Sequence, residues 1–228
     1  MAAPLLLAVA LPVAAAAPAR KPAKAVAPAK AAKAAPSERA AKAAPTAKAA
    51  PPAMVVMPGD VDVCYNYGCA AAGTVTFSGA QLAEAQRLLL AARDSRTERA
   101  ALAPVLARMY AWAAEQTPIG NDKAGNYADG GMPGSMDCID HSTTTTRLLR
   151  LLEQRGWLRF HRVLDPVRRT NLIFQHFSAA VEDLGDGISV VRTDQEARTW
   201  AVDSWYADNG KPPWIVPLDE WESASGPN

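Results

Sequence analysis

Residues 18–53 decide how much of this chain can fold. They comprise 17 Ala, 7 Pro and 6 Lys, with Arg20, Arg39 and the single acid Glu38 among the rest. The one larger aliphatic residue is Val26, so the stretch cannot supply a core, and Pro22, Pro28, Pro36, Pro45, Pro51 and Pro52 interrupt the helix that alanine favours. The expectation is an extended tether, on the order of 110 Å long at about 3.1 Å per residue in the polyproline form. With the first 53 residues set aside, 175 of the 228 remain, enough for one core of ordinary size. The expected organisation is a leader over 1–17, the tether over 18–53 and one domain over 54–228.

The charge divides at the same boundary. The tether carries +7, whereas from Met54 onward 16 Lys and Arg face 22 Asp and Glu, so a chain of formal net charge +1 is a basic arm on a domain of −6. A nucleic-acid partner is disfavoured, because the folding part has the wrong sign and the basic part has no aromatic residues to stack on bases. The lysines suit an anionic envelope surface, or simply keep a spacer solvated.

Ahead of the tether, Pro4 to Ala17 form an apolar run that ends in small residues. As a helix, about 14 residues span about 21 Å, short of the roughly 30 Å hydrocarbon layer. The run reads as a secretory signal sequence rather than a membrane span, although no Lys or Arg precedes it. The expected location is outside the cytoplasm, periplasmic or secreted.

Export makes the three cysteines informative. Cys64 and Cys69 bracket Tyr-Asn-Tyr-Gly, with Gly68 suited to a tight turn, and a small-loop disulfide between them leaves Cys138 unpaired. The alternatives for Cys138 are a packed small hydrophobe or a disulfide with Cys64 or Cys69.

The domain opens with two helical patterns, each begun by a capping-box signal: Ser78 with Gln81, then Ser95 with Glu98. Leu102, Val105, Leu106, Met109, Tyr110 and Ala113 form a core stripe on the second, which also contains Pro104. Residues 117–137 are rich in Gly, Asn, Asp and Pro and read as a long loop. A third helix follows, with Leu148, Leu149, Leu151 and Leu152 inward and Gly156 as terminator, which places Cys138 at a helix amino terminus. Strand patterns then take over at 158–163, 172–182, 188–193 and 199–206, with a hairpin signal at 185–187. Helices followed by an antiparallel sheet is an α+β arrangement.

A helix amino terminus favours a thiolate and can hold a developing oxyanion, so Cys138 is a candidate nucleophile. A nucleophile needs a base. His176 lies in an expected strand, and Asp203 stands among apolar neighbours in Trp-Ala-Val-Asp-Ser-Trp, where a carboxylate must find a partner. Neighbouring strands in register would let His176 bridge Cys138 and Asp203.

The order Cys138 and Asp140 at a helix start, Gly156 at its end, His176-Phe177 in a strand and Asp203 in a Trp-flanked strand resembles the transglutaminase-like superfamily. Met-Asp-Cys-Ile-Asp at 136–140, Val-Asp-Ser-Trp at 202–205 and Asp-Asn-Gly at 208–210 are similar to segments of its exported bacterial members, over about 61–221. The chain departs from the commoner pattern in having Phe after His176 and a long interval from His176 to Asp203. The resemblance implies a papain-like α+β core with Cys138, His176 and Asp203 as nucleophile, base and orienting residue. It implies acyl transfer from amides through a thioester, captured by water or by an amine, on a protein, peptide or peptidoglycan stem-peptide substrate, with no cofactor.

Two other readings stand beside it. One is a catalytically silent domain of the same fold that binds peptide or glycan. The other is a zinc site from Cys138, His141, His161 and His176, against which His161 and Arg159 are expected to face solvent. Asp137 and Asp140 lack the spacing of a calcium loop. Met136, Trp157, Phe160 and Trp200 read as packing, and Trp205 and Tyr206 as cleft residues.

Overall fold

A computed structural model describes residues 55–125, 127–185, 198–224 and 226–227. The leader, the tether, the strand expected at 188–193 and the hairpin signal beyond Gly185 lie outside the described residues.

The first elements are strands that the helices-first expectation did not contain: β1 (Gly59–Tyr65) and β2 (Ala71–Phe77) pair antiparallel. Their inward residues Val61, Val63, Val75 and Phe77 are buried, while Thr74 and Thr76 donate across to Asp62 and Asp60 on the wet face. Helix α1 (Gly79–Leu90) carries the expected capping box of Ser78 and Gln81. Helix α2 (Ser95–Ala114) starts one residue earlier than the Ser95 signal implies: Asp94 is the N-cap, Thr97 completes the box, and Glu98 turns inward. The helix runs on through Pro104, which lacks the N–H for one bond of the ladder and crowds the carbonyl of Ala100.

The described residues of the loop after α2 combine local turns with long-range bonds, Gly125 N–H donating to Trp205 O and Ala124 N–H to Asp208 Oδ1. A 3₁₀ turn covers Pro118–Asn121, and Gly134, at φ 86°, lies where a Cβ would come within 2.0 Å of Pro118 O, so only glycine fits. Helix α3 (Cys138–Gln154) follows and ends in a Schellman motif at Gly156 (φ 69°), with Trp157 N–H donating to Leu152 O and Gly156 N–H to Glu153 O.

The remaining strands, β3 (His161–Val163), β4 (Val167–Asn171), β5 (Phe174–Asp183), β6 (Thr199–Asp203) and β7 (Trp214–Pro217), form an antiparallel sheet in the order β3-β5-β6-β7, with β4 also on β5. A last helix, α4 (Leu218–Ser223), carries the fully buried Trp221. The described residues thus contain four α-helices and two antiparallel sheets, an α+β fold. None of the described helices is long and apolar enough to cross a membrane.

One core joins the hairpin, α1, α2, α3 and one face of the larger sheet through Val63, Phe77, Leu82, Leu106, Met109, Leu148, Leu152, Val181 and Val202. Each such side chain contributes about 1.5–3 kcal/mol when fully buried. The alternation of β5 and β6 then fixes the site. Ala179, Val181 and Val202 point into the core beneath α3, and His176 and Asp203 leave on the opposite face.

Candidate active site

Asp203 ends β6, and His176 lies near the start of β5. Because β5 and β6 are neighbours in register, the two side chains share one face, and His176 Nε2 lies 2.7 Å from Asp203 Oδ2. Asp203 is 1% exposed, so its carboxylate needs partners, and it has three: Trp221 Nε1 donates to Oδ2 at 2.8 Å and Trp205 N–H to Oδ1 at 3.1 Å, besides His176. The Trp205, Tyr206 and Trp221 rings lie at 5.0, 5.4 and 5.7 Å from the imidazole, which is itself nearly buried. Arg169 backs this wall, donating to Tyr206 OH at 2.6 Å and to the carbonyl oxygens of Trp221 and Ala224. With Nε2 held by the carboxylate, Nδ1 is the nitrogen left to act on a neighbour.

Cys138 is the first residue of α3, half-buried and free, while Cys64 and Cys69 are joined by a disulfide. The main-chain N–H of Phe177, next to His176, and the Asp203 charge both act on the Cys138 thiol. His176 and Asp203 thus meet directly, while Cys138, on the helix that covers the opposite face of the sheet, lies within reach of the Asp203 charge. Among the described residues no hydrogen bond joins Cys138 to His176.

The expected thiolate-favouring field is also altered. Asp137, which sequence reasoning did not identify as a cap, is the N-cap of α3, and its Oδ1 takes up the N–H groups of Ile139 and Asp140 at 3.0 and 2.9 Å. Burial pushes the Cys138 thiol upward, the Phe177 N–H draws it back, and the charges of Asp137 and Asp203 raise it again. The net direction is up, so the resting group is a thiol.

Two polar networks flank the site, the first buried and the second partly exposed. In the first, His141 Nε2 meets Asp122 Oδ2 at 3.0 Å and Nδ1 meets Ser204 Oγ at 2.9 Å, while Thr145 and Tyr110 hydroxyls close on the same Ser204 at 2.9 and 3.2 Å. In the second, Asp137 and Asp140 accept N–H groups from the Cys64–Cys69 turn. Burial raises Asp140 to about 6, the bonded N–H groups of Cys69 and Asp137 opposing it and the Asp137 charge adding to it.

The zinc set does not assemble. His141 is held by Asp122 and Ser204 and His176 by Asp203. His161, expected at the surface, is 1% exposed, with Nδ1 at 2.8 Å from Glu98 Oε1 and Nε2 at 3.3 Å from Arg99. The partner that buries His161 is 63 residues away on α2, which strand alternation cannot reveal. Among the described residues the one close group of potential ligands is Cys64, Cys69 and Asp140, whose two sulfurs are bonded to each other.

Met136 and Trp157 are buried as packing residues; Trp205, read as a cleft residue, is itself buried against His176, and Tyr127 lies on it at 4.7 Å, exposed at the rim. No family model, curated protein or solved structure matches the chain.

Proposed function

We propose that the chain is an exported, papain-like, transglutaminase-like cysteine enzyme that transfers acyl groups from amide bonds in the cell envelope. The observation that carries this reading is the buried His176–Asp203 pair at 2.7 Å, whose carboxylate charge reaches a free cysteine at the first position of a helix. A carboxylate, an imidazole and a thiol in that order are the parts of a nucleophilic acyl transfer.

In the reaction, His176 Nδ1 takes the Cys138 proton as the sulfur attacks the amide carbonyl carbon, and Asp203 balances the imidazolium through Nε2. The tetrahedral intermediate expels the amine, which receives the proton from His176, and a Cys138 thioester remains. Water or an amine, deprotonated by His176, then attacks the thioester carbonyl and releases Cys138, giving hydrolysis or cross-linking. Since the resting group is a thiol, proton removal belongs to the attack step and is not completed beforehand. The leader and the Lys-rich tether fit a domain held near an anionic surface, where proteins and stem peptides offer such amides.

A second reading, a silent domain that binds peptide or glycan, is favoured by the raised thiol and the missing Cys138–His176 hydrogen bond. Iodoacetamide alkylation of Cys138, followed residue by residue with mass spectrometry from pH 5 to 10, separates the two. The enzyme reading expects labelling at neutral pH to fall about a hundredfold in His176→Ala, within the range of general-base contributions. Labelling that rises only above the ordinary thiol range and ignores His176→Ala establishes the silent domain.

A further inference from the structure

The turn between β1 and β2 has an unusual backbone. Asn66, Tyr67, Gly68 and Cys69 have φ of 67°, 67°, 63° and 56°, four successive residues in the left-handed region, three of them not glycine. Such conformations are sterically costly for residues with a Cβ and persist only where the surroundings impose them. Two things impose it here. The Cys64–Cys69 disulfide closes the turn, and its N–H groups converge on two carboxylates: Tyr67 and Cys69 donate to Asp140 at 2.8 and 2.6 Å, and Gly68 to Asp137 at 3.0 Å. Successive N–H groups in this geometry form an anion-holding concavity, and the anions it holds are the N-cap and third residue of the helix that begins with Cys138. The same turn grips the approach to Cys138, since Asn66 N–H donates to Ser135 O and Asn66 Oδ1 accepts Gly134 N–H, both at 2.8 Å.

The disulfide is also arranged to open in one direction. Cys64 is 1% exposed and anchored to α3 through Thr144 Oγ1, whereas Cys69 is only half-buried. Arg147, on α3, directs Nη1 at Cys64 Sγ from 3.3 Å. A thiolate attacking the more open Cys69 sulfur would thus expel Cys64 as a thiolate beside a guanidinium, a stabilised leaving group.

We infer that the Cys64–Cys69 turn is a redox-operated positioning device for Cys138, acting through Asp137 and Asp140, and that its reduction by an external dithiol lowers the reactivity of Cys138. This rests on the reading of Cys138 as the nucleophile. In the first step a thiolate of the dithiol bonds to Cys69 Sγ, the Cys64–Cys69 bond breaks, and its electron pair goes to Cys64 Sγ. In the second the reductant's other thiolate attacks the mixed disulfide and frees Cys69, so two electrons and two protons pass to the protein and the dithiol becomes a disulfide. Released from the crosslink, the non-glycine residues leave the left-handed region. Asp137 and Asp140 then lose three donors, and the start of α3 loses its fixed place relative to Phe177 and His176.

The test uses the full chain, oxidised or treated with dithiothreitol and freed of it, with mass spectrometry reading iodoacetamide labelling of Cys138 separately from Cys64 and Cys69. The expected result is labelling of Cys138 slowed about tenfold on reduction, as small misplacements of reacting groups typically do, with circular dichroism unchanged. The midpoint of its pH profile should move upward, because Asp137, whose charge acts on the thiol, loses the Gly68 N–H, while Asp140 loses those of Tyr67 and Cys69 and His176 and Asp203 are untouched. The Cys64→Ser/Cys69→Ser variant should reproduce both changes without reductant. Equal Cys138 labelling and an equal pH midpoint in the two redox states overturn the inference, as does global unfolding on reduction. His176→Ala in the oxidised protein keeps the two proposals apart. Labelling that depends on His176 but not on the disulfide defeats the positioning device alone, and labelling indifferent to His176 defeats the acyl-transfer reading on which it rests.

Discussion

Asp203→Asn is the substitution whose consequences follow most directly from atomic partners. The carboxylate receives three N–H groups, two on Oδ2 from His176 and Trp221 and one on Oδ1 from Trp205. An asparagine of the same shape has one acceptor oxygen. With that oxygen in the Oδ2 position, His176 and Trp221 keep their bonds, but the new NH2 opposes the Trp205 N–H. With the amide turned over, Trp205 is satisfied, the NH2 opposes Trp221 Nε1–H, and His176 must accept at Nε2 and so carry its proton on Nδ1, where it cannot act as a base. Either way one buried donor is orphaned at about 1–3 kcal/mol, and the surviving bonds lose about 1 kcal/mol each on exchanging a charged acceptor for a neutral one. We expect a loss of about 3 kcal/mol, which for a domain of this size lowers Tm by about 6–12 °C. Differential scanning fluorimetry measures this, and Trp221→Phe serves as the control. That change removes one donor, keeps an aromatic ring against His176 and should cost about 1 kcal/mol. Cys138 alkylation at neutral pH should also fall in Asp203→Asn by about a hundredfold, since the imidazolium loses its counter-charge. A Tm within about 2 °C of the parent, or alkylation unchanged, would refute the assignment of Asp203 as a buried partner of His176.

Two further predictions concern the flanking carboxylates. Glu98 is fully buried and accepts from Arg159 N–H, Phe160 N–H and His161 Nδ1, so Glu98→Ala should cost about 3–5 kcal/mol in urea unfolding, while Cys138 labelling stays at the parental rate because the site lies at the far end of β5. Asp140 is raised from 3.8 to about 6, so the stability it contributes is complete below about pH 3.8 and is lost as pH rises through about 6; the urea midpoint should fall between about pH 4 and 6 in the parent, level off above that, and be flatter in Asp140→Asn.

The sequence was most legible where one local signal decided the outcome. The change from breaker-rich loop to leucine-patterned helix placed Cys138 at a helix start, and Ser78 with Gln81 marked α1. His176 and Asp203 stood out as polar groups in apolar strands, and register made them partners. The β1–β2 hairpin is less legible: Val61 and Val63 alternate with Asp60 and Asp62, but its partner strand opens on Ala71, Ala72 and Gly73, which carry no apolar alternation. Glu98 shows a limit of motif reading: three residues after Ser95 it completes a capping-box pattern, yet Asp94 caps the helix and Glu98 serves donors more than 60 residues away. His141 had no distinguishing local signal, since its partners Asp122 and Ser204 come from a loop and a strand end.

The arrangement of these groups bears on why a lone thiol should sit where charge disfavours its ionisation. Cys138 lies between two braces. On one side Asp122, His141 and Ser204 tie the first turn of α3 to the residue after Asp203, and on the other the left-handed turn ties that helix start through Asp137 and Asp140. Both braces end within three residues of the sulfur or one residue of its candidate orienting carboxylate, and nearly every polar atom in them is paired. Fully satisfied buried networks fix geometry more than they add stability, because each charge taken from water must first recover its desolvation cost. Placing several carboxylates near a thiol also raises it, as the directions at Cys138 show. Under the acyl-transfer reading proposed above, a site organised this way gives up ready ionisation for fixed position, and a base that takes the proton during attack is the mechanism such a trade permits.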